Sequence, residues 1–284
     1  MRNTAASLRA RLIAWAKNGE IPFQYASMLY MHQGVLARVA ESPFSDSFVL
    51  KGGFLLFSMN GHAGRTTRDL DFLGEGIPND PESLKAVFKT ILGTARDDGL
   101  LFDAPSIQTE PIAEAAEYQG ARITVICTFG TIRNTVSIDI GFGDKLPRGP
   151  ERIPIRRILG AGEFTVLAYP LASVVAEKFE TVLALGSVNS RMKDLFDIAC
   201  ILDRYMILDQ DLKEALAATL HQRGTALPEY PDVFSALYET VPKTRAYWEG
   251  FLRRAKLEGI ELGSVLGTIR RRLGPIYEEL RNAR

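Results

Sequence analysis

Within Arg65-Thr66-Thr67-Arg68-Asp69-Leu70-Asp71, four polar side chains (Arg65, Thr67, Asp69 and Asp71) recur at every second position. In an extended chain that spacing turns all four to one side. Two carboxylates about 7 Å apart along a strand can converge on one or two divalent cations, and Mg²⁺ favours a few carboxylates completed by water and phosphate oxygens. Arg65 and Thr67 would then offer a cation and a hydroxyl to the same anionic ligand. A bare Asp-x-Asp is common and reads as an exposed strand face. Here Leu70, Phe72 and Leu73 give the segment a core side, and two like charges on one strand face repel unless a cation offsets them. Upstream, Lys51-Gly52-Gly53 supplies a turn where backbone N–H groups can approach a phosphate with no Cβ in the way.

A third carboxylate, Asp139, falls on the polar side of the alternating run Asn134 to Phe142. If its strand neighbours the first, Asp69, Asp71 and Asp139 could hold two metals. One would activate an attacking hydroxyl, which Asp139 is expected to contact, while the other neutralises a triphosphate. A second polar cluster joins Glu177-Lys178-Phe179 to Asn189-Ser-Arg-Met-Lys-Asp-Leu-Phe-Asp197. Asn189 or Ser190 suits a helix N-cap, Asp194 and Asp197 are neighbours at i and i+3, and Leu195, Ile198, Ala199 and Leu202 fill the opposite stripe. Alone, that pattern is a surface helix with ion pairs. Beside a phosphate site, Lys178 and Arg191 become candidate phosphate cations, with Asp194 orienting Lys178.

The elements that must carry these residues follow from periodicity. Helical spacing predicts helices over Ala5–Lys17 and Pro22–Glu41, with His32 on the apolar stripe of the second, where a core histidine is the expected role. Strands are expected at Phe48–Lys51, Arg68–Leu73, Ala121–Phe129 and Asn134–Phe142, the last two as a hairpin, and a helix over Asp80–Asp97. From Leu171 the chain reads as helical: Leu171–Leu185, Ser190–Arg204, Leu208–Gln222, Val233–Tyr238, Lys243–Lys256 and Glu261–Asn282. Residues 148–170 read as the connection. The expected class is therefore α/β (α+β), a mixed sheet with flanking helices over residues 1–165 followed by a helical lobe over 166–284.

A chain of 284 residues with 46% hydrophobic and 24% charged residues can bury a core, and disorder is excluded. Lys and Arg (34) balance Asp and Glu (34), so the whole chain makes no electrostatic claim on nucleic acid. Locally, Arg253, Arg254, Lys256, Arg270, Arg271, Arg272, Arg281 and Arg284 outline a basic face in the C-terminal segment, or else solvated helix faces. Cys127 and Cys200 sit in apolar runs and make no disulfide framework. The N-terminal apolar run Leu12–Ala16 is too short for a signal or a membrane span, and a cytoplasmic protein is expected.

Taken in order, Leu50-Lys-Gly-Gly53, Arg65-x-Thr67-x-Asp69-Leu-Asp71, Glu177-Lys178 and Ser190-Arg-Met-Lys-Asp194-Leu-Phe-Asp197 span about 150 residues, and the chain that carries them resembles the AbiEii family, which includes the mycobacterial MenT-like toxins. That family comprises nucleotidyltransferase toxins of type IV toxin–antitoxin and abortive-infection systems. The resemblance implies a lobe of the DNA polymerase β superfamily followed by a helical lobe, with an NTP and Mg²⁺ bound between them. It further implies Asp69 and Asp71 as metal ligands, Gly52 and Gly53 as the phosphate turn, and Lys178 and Asp194 as needed for activity. The superfamily usually has Gly-Ser where this chain has Gly52-Gly53, so any serine hydroxyl role at position 53 is missing.

The expected activity is transfer of a nucleotide from an NTP to an acceptor hydroxyl, with the 3′ end of tRNA favoured and inhibition of translation and growth as the outcome. Transfer to a protein hydroxyl and an NTP-binding module without turnover are the alternatives. A cognate antitoxin encoded nearby is the expected partner, and no membrane is.

Overall fold

The computed structural model describes residues 5–60, 67–113 and 119–283. Two compact units emerge: Met1–Gly143 with Pro150–Ala168, and Asp144–Gly149 with Tyr169–Arg284.

The first unit opens with helices α1 (Ala5–Asn18) and α2 (Phe23–Glu41), then runs β1 (Phe48–Lys51), α3 (Gly52–Asn60), β2 (Leu70–Gly74), α4 (Pro81–Leu92), β3 (Leu100–Ala113), β4 (Gln119–Phe129), β5 (Ile132–Phe142), β6 (Glu151–Arg156) and β7 (Glu163–Ala168). The strands form one mixed sheet in the order β3-β4-β5-β2-β1-β7-β6. β1 is antiparallel to β2, with Lys51 opposite Asp71, and β2 is parallel to β5, with Asp71 opposite Asp139. Leu70 and Phe72 of β2 and Val136, Ile138 and Ile140 of β5 are almost wholly buried, so alternate residues are left on the other face, among them Asp71 and Asp139. Hydrophobic alternation thus fixes the register that sets these carboxylates side by side. Phe48 makes edge contacts with Phe72 and Phe88, at ring separations of 5.6 and 5.3 Å, which tie β1, β2 and α4 into one core.

Buried along most of its length, α2 carries polar side chains that act as fasteners. Gln33 donates to the Arg156 carbonyl and accepts from the Ile158 N–H, both at 2.7 Å, and so grips the β6–β7 hairpin. Arg38 is 2% exposed and donates to the Asp98 carboxylate at 2.7 and 3.2 Å and to the Gly34 and Thr94 carbonyls. His32 has no such partner. Its two ring nitrogens are buried without hydrogen bonds, it packs edge-on against Phe54, and burial pushes its pKa down from 6.5 to about 4. The unfolded chain therefore takes up a proton at this residue that the folded chain refuses. Stability is full above pH 6.5 and falls as pH drops toward about 4. Chemical denaturation of His32→Leu between pH 7 and pH 4.5 should show a shallower loss than the parent, by about 2 kcal/mol.

Three strands depart from the sequence reading. β3 contains Pro105 and Pro111 and shifts register between Asp103 and Gln108; β6 contains Pro154. Both are edge strands, where proline's missing N–H costs no ladder bond. β6 and β7 together replace the connection expected over residues 148–170, and β7 runs parallel to β1. The helix expected over Asp80–Asp97 stops at Leu92, before Gly93, after starting on an Asp80 cap that accepts from the Ser83 N–H.

The second unit consists of α5 (Leu171–Leu185), α6 (Met192–Arg204), α7 (Asp209–Gln222), α8 (Pro242–Ala255) and α9 (Leu262–Asn282). Phe179, Phe234 and Tyr277 meet at ring separations of 5.4 to 6.4 Å in its core. The helix expected over Val233–Tyr238 is instead two short 3-10 turns, Asp232–Phe234 and Tyr238–Thr240. Among the described residues no helix is long and apolar enough to cross a membrane. Cys127 and Cys200 are both free thiols.

Candidate active site

Strand β1 passes directly into α3 at Gly52, whose φ of +67° belongs to the left-handed region that favours glycine. A second constraint is steric: a Cβ on Gly52 would lie 2.0 Å from Asp71 Oδ2. The Asp71 carboxylate therefore fills the space a side chain would need, and the Gly53 N–H points at the same oxygen from 3.4 Å. The Gly52-Gly53 turn, expected as a phosphate cradle, seats the carboxylate at the start of a helix. Gly52→Ala should lose at least about 2 kcal/mol of stability by combining a positive φ with a backbone-proximal clash. A thermal melt checks this, and transfer activity should fall with it because Asp71 must move.

Burial pushes the Asp71 carboxyl up from 3.8 to about 6, and Asp139 and Asp69 add to the rise, while the Gly53 N–H and Lys51 oppose it. Asp69 lies in the bend before β2. Thr67, 8% exposed, spends its hydroxyl on the Asp69 carbonyl at 3.1 Å, and its N–H bonds the Tyr25 hydroxyl at 3.0 Å. Thr67 is thus a fastener of the approach to β2, where a ligand-facing hydroxyl was expected. Arg65 lies outside the described residues.

Both carboxylate oxygens of Asp139 are engaged by Arg122 of β4, at 2.7 and 2.6 Å, a bidentate pair that raises the Arg122 pKa. Arg122 stands opposite Asp139 in the antiparallel β4–β5 register. The structure therefore brings Asp139 beside Asp71, as the sequence suggested, and ties it to a cation the sequence reading did not single out. Among the described residues no group of three or more His, Cys, Asp or Glu side chains is gathered so as to hold a metal ion. Asp69 and Asp71 nevertheless fit Mg²⁺, which is commonly held by one or two carboxylates plus substrate oxygens, and the cost of keeping the buried Asp71 carboxyl ionised is what a cation would relieve.

In the helical unit, Lys178 of α5 donates to Asp194 Oδ1 and forms an ion pair with Asp197 Oδ2, each at 2.7 Å, and Arg191 Nε holds the other Asp194 oxygen at 2.5 Å. The Asp194 and Asp197 side chains are only 0% and 5% exposed, so the surface-helix alternative is excluded for them. Burial pushes the Asp194 carboxyl up, but Lys178 and Arg191 outweigh it and hold it below its ordinary value. Asn189, expected as an N-cap, accepts from the Arg191 N–H at 2.8 Å and closes the turn that leads into α6. Asp197, absent from the expected site, is an equal partner of Lys178. Arg223 also bears on α5: it donates to the buried Glu180 at 2.7 Å and lies 3.9 Å from Glu177.

Much of the expected basic face serves the fold. Arg270 donates to the Ser235 carbonyl, Arg272 to those of Leu202 and Ile207, and Arg281 to that of Glu229. Arg253, Arg254 and Lys256 stay exposed, and Arg284 lies outside the described residues.

The mixed sheet with carboxylates on its central strands is the fold of nucleotidyltransferases. A candidate nucleotidyltransferase from H. pylori superimposes with a TM-score of 0.53 over 93% of this chain and 99% of that one, at 14% identity. The chain belongs to the AbiEii family, whose model, described as the nucleotidyl transferase AbiEii toxin of type IV toxin–antitoxin systems, matches residues 34–264. Weaker structural likenesses are to JHP933 from Helicobacter pylori (TM-score 0.46, 16% identity, 92% of this chain and 97% of that) and to an antigenic nucleotidyltransferase-like protein from Paracoccidioides brasiliensis (0.41, 14%, 69% and 89%). No curated protein matches the chain.

Proposed function

We propose that the protein transfers a nucleotide from an NTP to an acceptor hydroxyl, the 3′ end of tRNA being the favoured acceptor, and that this activity makes it a growth-inhibiting toxin held in check by a cognate antitoxin. The observation that carries the reading is the Asp71–Asp139 register with the Asp71 carboxyl raised by burial and by its carboxylate neighbours, in a chain of a nucleotidyltransferase toxin family.

Asp69 and Asp71 would hold Mg²⁺, which when bound neutralises the triphosphate and eases ionisation of the attacking hydroxyl. Gly52 keeps the Asp71 carboxylate seated, and Lys51 opposes the negative charge around it. Asp139, oriented by Arg122, accepts a hydrogen bond from the incoming hydroxyl and guides its approach. In the helical unit, Lys178 uses two of its three N–H donors on Asp194 and Asp197, which fixes the ammonium and leaves the third for a phosphate oxygen. Arg191, about half exposed, adds a second cation beside it.

Incubating the protein with each labelled NTP, Mg²⁺, total tRNA and cell lysate tests the reading. Label in tRNA is the expected result, with none when Mg²⁺ is chelated. Label in protein alone would move the acceptor to a protein hydroxyl. Growth inhibition that survives Asp69→Ala would overturn the enzymatic account of toxicity.

A further inference from the structure

The helical unit holds a cavity of about 310 Å³ that none of the candidate catalytic side chains lines. Its walls include Leu183, Gly186, Tyr230, Asp232, Val233 and Tyr238, and its size is at the lower end for ligand sites. Its chemistry is lopsided. α5 ends here, and a helix C-terminus carries partial negative charge that a basic residue in the last turn usually answers; α5 has none. A carboxylate stands there instead. Asp232 Oδ2 lies 3.5 Å from where a Cβ on Gly186, the C-cap of α5, would sit. No ammonium or guanidinium group of the described residues pairs with Asp232.

Two buried polar side chains lie nearby, Tyr238 at 5% exposed and Asn189 at 2%, and each is the other's hydrogen-bonding neighbour. At the mouth, Tyr230 presents an aromatic ring that is 83% exposed. Val188 and Leu237, which adjoin the wall residues Ser187 and Tyr238 in sequence, are 64% and 71% exposed.

A helix C-terminus and a carboxylate without a cationic partner repel anions and accept hydrogen bonds. An exposed tyrosine face attracts a cation, and the aliphatic walls Leu183 and Val233 suit a hydrocarbon stem. The geometry points to a receptor for a guanidinium or primary ammonium group on an apolar stem. Such a group comes either on a free small cation or on an arginine or lysine side chain of a bound polypeptide. The two sources share this chemistry and separate by affinity.

The test is an amide NMR titration of the full chain with three probes: agmatine, N-acetyl-Leu-Arg-Leu-amide, and the same peptide with citrulline in place of arginine. Saturable shifts confined to residues 182–189 and 228–238 are expected with the first two. The citrulline peptide should bind at least about tenfold more weakly, a difference of roughly 1.4 kcal/mol. Asp232→Asn and Tyr230→Ala should each weaken binding by a similar factor and leave nucleotidyl transfer unchanged. An arginine peptide that binds more tightly than agmatine assigns the pocket to a polypeptide side chain; equal affinity assigns it to a free cation. The proposal is overturned if neither probe gives saturable shifts, if citrulline binds as well as arginine, or if D232N binds as the parent does.

Discussion

Asp71→Asn is expected to cut nucleotidyl transfer by about three orders of magnitude, a loss of roughly 4 kcal/mol of transition-state stabilisation, while raising the melting temperature above pH 6. The two effects have one cause. Asp71 is a half-buried carboxylate set against Gly52, with Asp139 and Asp69 nearby, and its pKa rises to about 6. The folded chain holds its proton more tightly than the unfolded chain does. This group's stabilising contribution is therefore fully present below pH 3.8 and is lost as pH rises through about 6. A neutral amide of the same shape removes that penalty, a gain on the order of 2 kcal/mol at pH 7.5, or several degrees in a melt. Mg²⁺ with a non-hydrolysable NTP should then stabilise the parent more than D71N, because binding to the native state adds stability only where affinity exists. If D71N were both active and no more stable than the parent, the burial of an ionised Asp71 would not be the site's organising feature.

Lys178→Met should destabilise the protein by about 3–5 kcal/mol, since it leaves buried carboxylates without their cation. Asp194 keeps Arg191 as a partner, so Asp197 feels the loss of the ammonium more. The diagnostic is a double-mutant cycle. Asp197→Asn alone removes one partner of the ammonium, and combined with Lys178→Met it removes a buried carboxylate that has lost that ammonium, so the pair should cost at least about 1 kcal/mol less than the sum of the singles. Calorimetric melts give all four corners. Transfer should fall in every Lys178 variant whatever its stability. Additive stability losses would mean that the lysine and Asp197 do not act as a unit.

How far these features could be read without coordinates varied with the local signal. Asp139 stood out because β5 alternates cleanly, and a strand buried on one face has one permissible register; Asp69 and Asp71 stood out by their spacing beside the apolar Leu70, Phe72 and Leu73. Arg122 was within reach: once the β4–β5 connection is two residues long, counting back from Phe129 and forward from Ile132 sets Arg122 against Asp139. Missing that loop length hid the partner. Lys178 and Asp194 were readable from type and spacing, but Asp197 looked like solvent-facing polarity because helical periodicity cannot show what packs over a face. β3 and β6 were obscured by prolines, a register shift in β3 and exposed charges in β6, all marks of edge strands, and β7 went unread with its hairpin partner β6. The Thr67 hydroxyl followed a local bond to backbone, a competition that alternation arguments do not weigh.

Those prolines have a consequence beyond obscuring the strands. Pro105 and Pro111 stand in one outermost strand of the sheet and Pro154 in the other. Each interrupts the row of N–H groups along which a foreign strand would zip. Copies of this protein are thereby discouraged from joining edge to edge into aggregates. A protein inhibitor that recognises the sheet unit must grip its side chains or helices, since lengthening the sheet is the route these borders oppose.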